Sequence, residues 1–304
     1  MKKKILGLIF ICFNLVHAGG FDNLGVHSRV IGIGGVYYGI GDAPYTVFYN
    51  PAGLAHLKRI EINSTYTNLF PGLEDESIYY LTASGVLPFE PIGSFGAGVT
   101  FLKTDHWQEN TLILSYARSI ISTFGVGGSV KLLRWSASAA PGESPLSFFG
   151  LSFDAGAFYT IESIFDQGDI RFGAAVQDIT QPSIAKSGSK DAALPIKMAV
   201  GVSYFSPGYD YLIGIDGIKE GDEYYLKFGA EFLGMKTYVL GVETGFYIRG
   251  GYNGIVNKIN SKQNALNGGF GVFVEKFKFD YAYVHQLEIK SIGGSHKLSI
   301  GYQF

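Results

Sequence analysis

The sequence predicts an all-β chain closed into a transmembrane antiparallel barrel of about fourteen strands. Three observations predict it. The chain opens with an export signal, the rest alternates with period two, and its connections are long and short by turns.

The N-terminus comes first. Lys2, Lys3 and Lys4 form a basic start, and Ile5 to Val16 is an apolar stretch of about a dozen residues. That is too short to span a bilayer as a helix and reads as a signal peptide. Val16-His17-Ala18 is a plausible cleavage site, so residues 1–18 are expected to be removed and the mature chain to start near Gly19. Cys12, the single cysteine, leaves with the signal. The mature chain is then without a disulfide, a cysteine nucleophile or a Cys-based metal site.

Composition narrows the class. Without the three lysines of the signal, 21 basic residues face 26 acidic ones, a net charge of −5. A nucleic-acid partner would favour the opposite sign. Glycine (42), Phe (24) and Tyr (20) are abundant and charged residues make up only 16%, against about a quarter in soluble domains.

Alternation runs the length of the chain. In "SHKLSIGYQF", Leu298, Ile300, Tyr302 and Phe304 share one face, while Lys297, Ser299, Gly301 and Gln303 share the other. Phe277, Phe279, Tyr281 and Tyr283 alternate with Lys278, Asp280, Ala282 and Val284. "PIKMAVGVSY" and "YLKFGAEF" behave alike, with a second face that is small or polar. A soluble sandwich or a membrane barrel gives this pattern. Strands are expected near 59–67, 76–87, 93–104, 109–119, 123–137, 147–162, 168–178, 194–205, 208–217, 222–240, 245–255, 265–275, 277–288 and 294–304. The even number suits a bacterial barrel. The 222–240 segment reads either as one long strand protruding outside or as two strands. Connections after odd strands tend to be long ("SASAAPGESPL", "QPSIAKSGSKDAAL") and those after even strands tight (Ser206–Gly208, Lys276), as loops and turns on opposite sides of a membrane are. A terminal aromatic strand ending Tyr302-Gln303-Phe304 fits the signal read by barrel-assembly machinery. The expected location is the bacterial outer membrane, with its lipid as a partner.

Asp42 to Leu57, "DAPYTVFYNPAGLAHL", is too broken to be a strand. With the residues before it, "RVIGIGGVYYGIGDAPYTVFYNPAGLA" (Arg29 to Ala55) resembles the N-terminal signature of the PorV/PorQ family. More distantly it resembles that of FadL-type outer-membrane transport proteins. The matching residues are Gly32, Gly34, Gly35, Asp42, Phe48, Tyr49, Asn50, Pro51, Ala52 and Gly53. The resemblance implies a fourteen-stranded barrel (58–304) with residues 19–57 folded into its lumen as a plug. The residues suit that role. The glycines allow unusual backbone and close approach, Asn50 and Pro51 start a turn, and Phe48 and Tyr49 could wedge against the wall. An ordinary turn into the first strand is the plainer reading.

No chemistry of catalysis emerges. "GIGG" lacks the strand–turn–helix setting and the Lys-Ser/Thr of a nucleotide loop. His27, His56, His106, His285 and His296 show no ligand spacing, and there is no G-x-S-x-G. No catalytic residue, metal or cofactor is expected, and an enzyme is not. By alternation Asp154, Asp216, Lys227, Glu231 and Arg249 face the lumen, since a basic side chain facing lipid at midplane costs about 2–4 kcal/mol. They read as a wall-stiffening network or as a selectivity or plug-anchoring cluster, with Glu231 and Arg249 as an ion pair. Three functions stay open: passive transport of small or hydrophobic solutes, a PorV-like component of type IX-like secretion that binds exported proteins, and a structural barrel.

Overall fold

The computed structural model describes residues 20–72, 77–139, 146–164, 167–185, 192–239, 241–256, 264–288 and 293–304. The expected signal peptide and Gly19 lie outside these residues, as do parts of the two long connections quoted above.

Fourteen strands follow one another: β1 (Glu61–Leu69), β2 (Ile78–Phe89), β3 (Gly93–Lys103), β4 (Trp107–Ile121), β5 (Phe124–Ala137), β6 (Leu146–Ile164) and β7 (Gly168–Gln177), then β8 (Lys197–Phe205), β9 (Tyr211–Glu220), β10 (Glu223–Val239), β11 (Val242–Ile255), β12 (Ala265–Val274), β13 (Phe277–Gln286) and β14 (Ser295–Gln303). Each pairs antiparallel with its sequence neighbours, and β1 also pairs with β14, closing the barrel. Closure leaves no free sheet edge, so every strand's backbone finds its partners within the wall.

Alternation sets the two faces. Val200 and Leu298 are 62% and 58% exposed on the outside, while Ser203 and Lys297, on the other face of the same strands, are each 1% exposed. The outer surface is therefore a belt of Ile, Leu, Val, Phe and Tyr, and the inner surface is mostly small or polar, with Ile113, Leu133, Trp135 and Phe158 among its apolar members. β10 is one strand of 17 residues. Its extra length lies at the end of the short turns, not at the long-loop end. Its pairing with β9 stops at Phe232–Tyr211, whereas its pairing with β11 continues to Val239–Val242 past a bulge between Leu233 and Met235. The connection from β9 to β10 is the two residues between Glu220 and Glu223, a short turn among the long loops.

Residues 20–57 run through the lumen from one end to the other. Phe21 N donates to Glu109 Oε2 (2.8 Å), near the long-loop end of β4. Leu57 leads into β1 at the short-turn end. Between them lie a short helix, α1 (Ser28–Gly32), and two 3-10 turns, Pro44–Phe48 and Pro51–His56. Val30, Ile33, Ile40, Val47 and Leu54 are fully buried. Burial of each aliphatic side chain is worth about 1.5–3 kcal/mol, so the segment supplies the core that the polar wall lacks.

Candidate functional site

The candidate site is the interface between this segment and the wall. Its geometry starts with glycine. Gly34 and Gly35 have φ of 76° and 79°, the left-handed region that other residues enter at a cost. That turn lets the Ile33 carbonyl and the Gly34 backbone lie directly on Gly229 and Gly251 of β10 and β11. Gly173 of β7 is likewise covered by the Tyr38 carbonyl, and Gly127 of β5 by Pro51 and Ala52. A methyl group at any of these wall positions would overlap the segment's backbone.

Asn50, Pro51, Ala52 and Gly53 form a fixed corner. Asn50 Oδ1 accepts from Ala52 N (3.2 Å), capping the second 3-10 turn, which Pro51 opens. Asn50 Nδ2 donates to the carbonyls of Tyr38 (3.3 Å) and Ala157 (3.0 Å), joining two parts of the segment to β6. Gly53 lies on Gly41, where a side chain would not fit. Phe48 and Tyr49 part company. Phe48 packs over Gly98 of β3, whereas Tyr49 turns back on the segment and packs against Tyr37 and Tyr38.

Charge ties the segment down. Arg29 Nε and Nη2 donate to Glu231 Oε2 and Oε1 (2.8 and 2.9 Å). Its Nη1 and Nη2 donate to Asp42 Oδ1 and Oδ2 (2.8 and 2.9 Å). One guanidinium thus makes two bidentate pairs, the strong form of this contact. Glu231 also accepts from Arg249, its direct neighbour across β10 and β11, and Arg249 Nη1 donates to Asp280 Oδ1 of β13 (2.5 Å). The resulting chain Asp42–Arg29–Glu231–Arg249–Asp280 alternates in sign. Burial acts to raise the Asp42 carboxyl, but Arg29 outweighs it and holds the group below the usual carboxylate range. His27 stacks on Tyr45 with ring centroids 4.0 Å apart, and its Nδ1 accepts from Arg29 N (3.1 Å). Burial pushes the His27 imidazole down to about 3, so it is neutral.

The other sequence-chosen charges sit apart from this chain. Asp216 Oδ2 accepts from the backbone N of Tyr37 (2.6 Å) and Tyr38 (3.1 Å). Lys227 stands opposite Asp216 in the strand register and borders Gly35. Asp154 pairs with Lys131 (2.9 Å), which also reaches Asp178 (2.8 Å). Gln177, beside Asp154, donates to the Phe48 carbonyl (3.0 Å) and accepts from the Tyr38 hydroxyl (2.8 Å). Tyr302 and Phe304 lie at the barrel seam, with Phe304 N donating to the Ile60 carbonyl (2.9 Å).

Sequence reasoning missed four parts of the site. Arg29 was seen as the start of a motif and not as its central charge. Asp280 sits on the inward face of a strand whose alternation was legible. Lys297 donates to the Leu24 carbonyl (2.6 Å), and Ser299 Oγ accepts from Ser28 N (2.9 Å). The fourth is aromatic. Trp107 and Trp135 stack at 4.7 Å and Trp135 stacks on Phe148 at 6.3 Å. All three lie on the inner face at the long-loop end, where Glu109 accepts from both Trp107 and Phe21 at the start of the segment. Trp107 Nε1 donates to Glu109 (2.7 Å) and Trp135 Nε1 to the Ile184 carbonyl (2.8 Å).

No protein-family model matches the sequence, and no curated protein matches it. Solved structures do match. The Ralstonia pickettii toluene transporter TbuX superposes with a TM-score of 0.64 at 13% identity, covering 93% of this chain and 100% of that one. The P. putida toluene transporter TodX gives 0.64 at 11%, covering 93% and 99%. A Pseudomonas aeruginosa FadL homologue gives 0.54 at 12%, covering 92% and 98%. At these identities the likeness is one of fold, and it extends over nearly the whole of both chains.

Proposed function

We propose that the chain is a bacterial outer-membrane barrel that passes small hydrophobic solutes passively, with residues 19–57 as its plug, and that it performs no catalysis. On this reading the apolar belt meets lipid, the long loops face outward and the short turns face the periplasm. The observation that carries it is the stacked Trp107–Trp135–Phe148 platform on the inner face at the long-loop end, beside the start of the segment. Flat aromatic faces hold apolar and aromatic solutes at little entropic cost. The fold shared with the toluene transporters TbuX and TodX supports the same reading. The test is uptake of labelled toluene into liposomes holding the purified mature protein. Saturable uptake above that of empty liposomes is expected, and uptake no faster than through lipid alone would refute it.

A second reading has its own support. The Arg29–Ala55 signature resembles PorV/PorQ proteins, and the segment is fastened to β8, β9, β10 and β14 by Ser203, Asp216, Glu231 and Ser299. A barrel so sealed suits a PorV-like secretion component that works through its outer loops. Gentle extraction with an exported protein still attached favours this reading, and a bare barrel counts against it.

A further inference from the structure

The closed wall has no free edge, but β10 and β11 run on past it at the short-turn end. The pairing of β10 with β9 stops at Phe232–Tyr211, after which Leu233 N still reaches the Asp210 carbonyl (2.6 Å). Its pairing with β11 goes on to Val239–Val242. β11 is covered on its other side as far as Thr244–Val274, and Glu275 N donates to the Glu243 carbonyl (2.9 Å). The hairpin is therefore open along one side only, the β10 side from Met235 to Val239. Among the described residues no strand pairs with it there.

The register shows which backbone groups are free. Glu243 turns its carbonyl to Glu275, so it and its cross-strand partner Tyr238 form a pair without mutual hydrogen bonds. Tyr238 then aims its own N–H and C=O away from β11, and by alternation Lys236 does the same. Proteins blunt such edges with proline, lysine or a bulge. Leu233 to Val239 holds no proline, and the charge of Lys236 is matched by Glu243 (2.6 Å). The bulge lies between Leu233 and Met235, and the ladder is regular from Met235 on. The side chains along the edge are otherwise mostly apolar. Met235 and Val239 are 58% and 52% exposed, and Tyr238, at 70%, is the most exposed large apolar side chain among the described residues.

We infer that this edge receives a short extended segment of a second polypeptide, which adds a strand beside β10. A row of backbone donors and acceptors is matched by another extended backbone, and an apolar small molecule supplies no such row. Tyr238 on one face of the hairpin and Met235 and Val239 on the other suit a partner with apolar side chains at alternate positions and no net charge. A second copy of this chain does not fit. Identical edges pair antiparallel about a two-fold axis normal to the sheet. Here that axis lies in the plane of the membrane, so the second barrel would stand inverted. With the short turns facing the periplasm, the partner is a periplasmic one. The inference is otherwise independent of what the lumen passes.

The test titrates the full mature protein in phosphatidylcholine nanodiscs into a fluorescein-labelled, end-capped peptide of alternating Thr and Val, and follows anisotropy. Saturable binding is expected. A peptide N-methylated at its valines alone keeps one edge of donors and is expected to bind within about twofold of the unmodified one. A peptide N-methylated throughout has the same side chains but no donor on either edge, and is expected not to bind. Tyr238→Pro removes a backbone N–H that β11 does not use, and proline is tolerated at such edge positions. Tyr238→Ala removes the ring and keeps the N–H. The Pro variant is expected to bind the unmodified peptide about fivefold more weakly than the Ala variant, the equivalent of one hydrogen bond. Binding of the fully methylated peptide as tight as that of the unmodified one overturns the inference, since side chains alone would then hold it. No binding of any peptide to the wild-type protein overturns it, as does equal binding by the two variants. Dimers of the wild type that Tyr238→Pro abolishes would give the edge to a second copy and overturn it too. The channel reading is decided separately, by toluene uptake.

Discussion

Arg29 and Glu231, 202 positions apart in the chain, meet in a two-bonded pair at 2.8 and 2.9 Å. The same guanidinium holds Asp42. Replacing Arg29 with Ala leaves Asp42 with the Tyr37 hydroxyl but no counter-charge, and Glu231 with Arg249 alone. Removing one partner of a buried pair costs about 3–5 kcal/mol, largely because the other charge stays buried. Arg29→Ala is therefore expected to loosen the segment. In planar bilayers it should raise conductance above that of the wild type and lower the thermal unfolding midpoint. Unchanged conductance and midpoint would show that the apolar packing alone holds the segment.

The wall glycines give a steric test. A Cβ on Gly229 would overlap the Ile33 carbonyl, which is backbone and cannot swing aside. Gly229→Ala is expected to displace the segment near Gly34 at a cost of about 1–3 kcal/mol. Gly250, the next residue along β11 from Gly251, has nothing within reach of an added Cβ, so Gly250→Ala is the control. Limited proteolysis should cut residues 29–42 in the first variant and spare them in the second. Equal protection in both would contradict the close seat.

The strands were legible because a barrel wall imposes one rule, apolar out and small or polar in, and the sequence follows it at most positions from Glu61 to Gln303, with Trp107, Trp135 and Phe158 among the inward exceptions. That same rule placed Glu231 and Arg249 on one face. It could not show that Glu231 also meets Arg29, because residues 20–57 have no period from which orientation can be read. Nor could it show why Gly173 or Gly229 is glycine: "small" on the inner face became specific only when the Tyr38 and Ile33 carbonyls came to rest on them. The extra length of β10 was visible, but its direction depended on where pairing with β9 stops. Trp107 and Trp135 stack across neighbouring strands at the offset of their register, a relation that a single strand's alternation does not display.

Asn50 carries three bonds at one corner of the segment: a cap to Ala52 N and donations to Tyr38 and Ala157 carbonyls. Asn50→Ala removes them all and leaves two buried carbonyls short of a donor. A local loss of about 1–2 kcal/mol is expected, which is a factor of about 5–30 in the opening equilibrium. Hydrogen exchange at the Ala52 amide should accelerate by that factor, while amides in the middle of β6 should not change. Equal acceleration in β6 would mean that the corner and the barrel unfold as one unit.

His27 gives the segment a pH dependence of known sign. Its imidazole, ordinarily near 6.5, is pushed down to about 3 by burial. The groups facing it are Asp280, which opposes the shift, and Arg249, Arg29 and Lys278, which add to it. As pH falls from about 6.5 toward 3, the undocked segment takes up a proton and the docked one does not, so docking weakens over that window. Asp42, held low by Arg29, keeps its contribution down to about pH 5 and loses it progressively below that, where an undocked carboxyl begins to take up a proton. His27→Asn retains a side-chain acceptor for Arg29 N at the start of α1 but has nothing to titrate. Proteolysis of the wild-type segment is expected to speed up between pH 6.5 and 4.5, and that of His27→Asn to stay flat. Parallel acceleration in both proteins would assign the effect to another group.

The aromatic platform can be separated from the plug. Trp135 stacks on Trp107 and Phe148, and its indole N–H holds the Ile184 carbonyl. Trp135→Leu keeps an apolar side chain but removes the flat face and that bond. An aromatic pair is worth about 0.5–1.5 kcal/mol beyond its buried area, so toluene should bind about 2- to 10-fold more weakly, with slower uptake at low concentration. Arg29→Ala acts in the other direction, raising passage at all concentrations. If Trp135→Leu instead raises uptake, the platform is a barrier over the lumen and not a place where solute rests. The route inward would then have to bypass the stack.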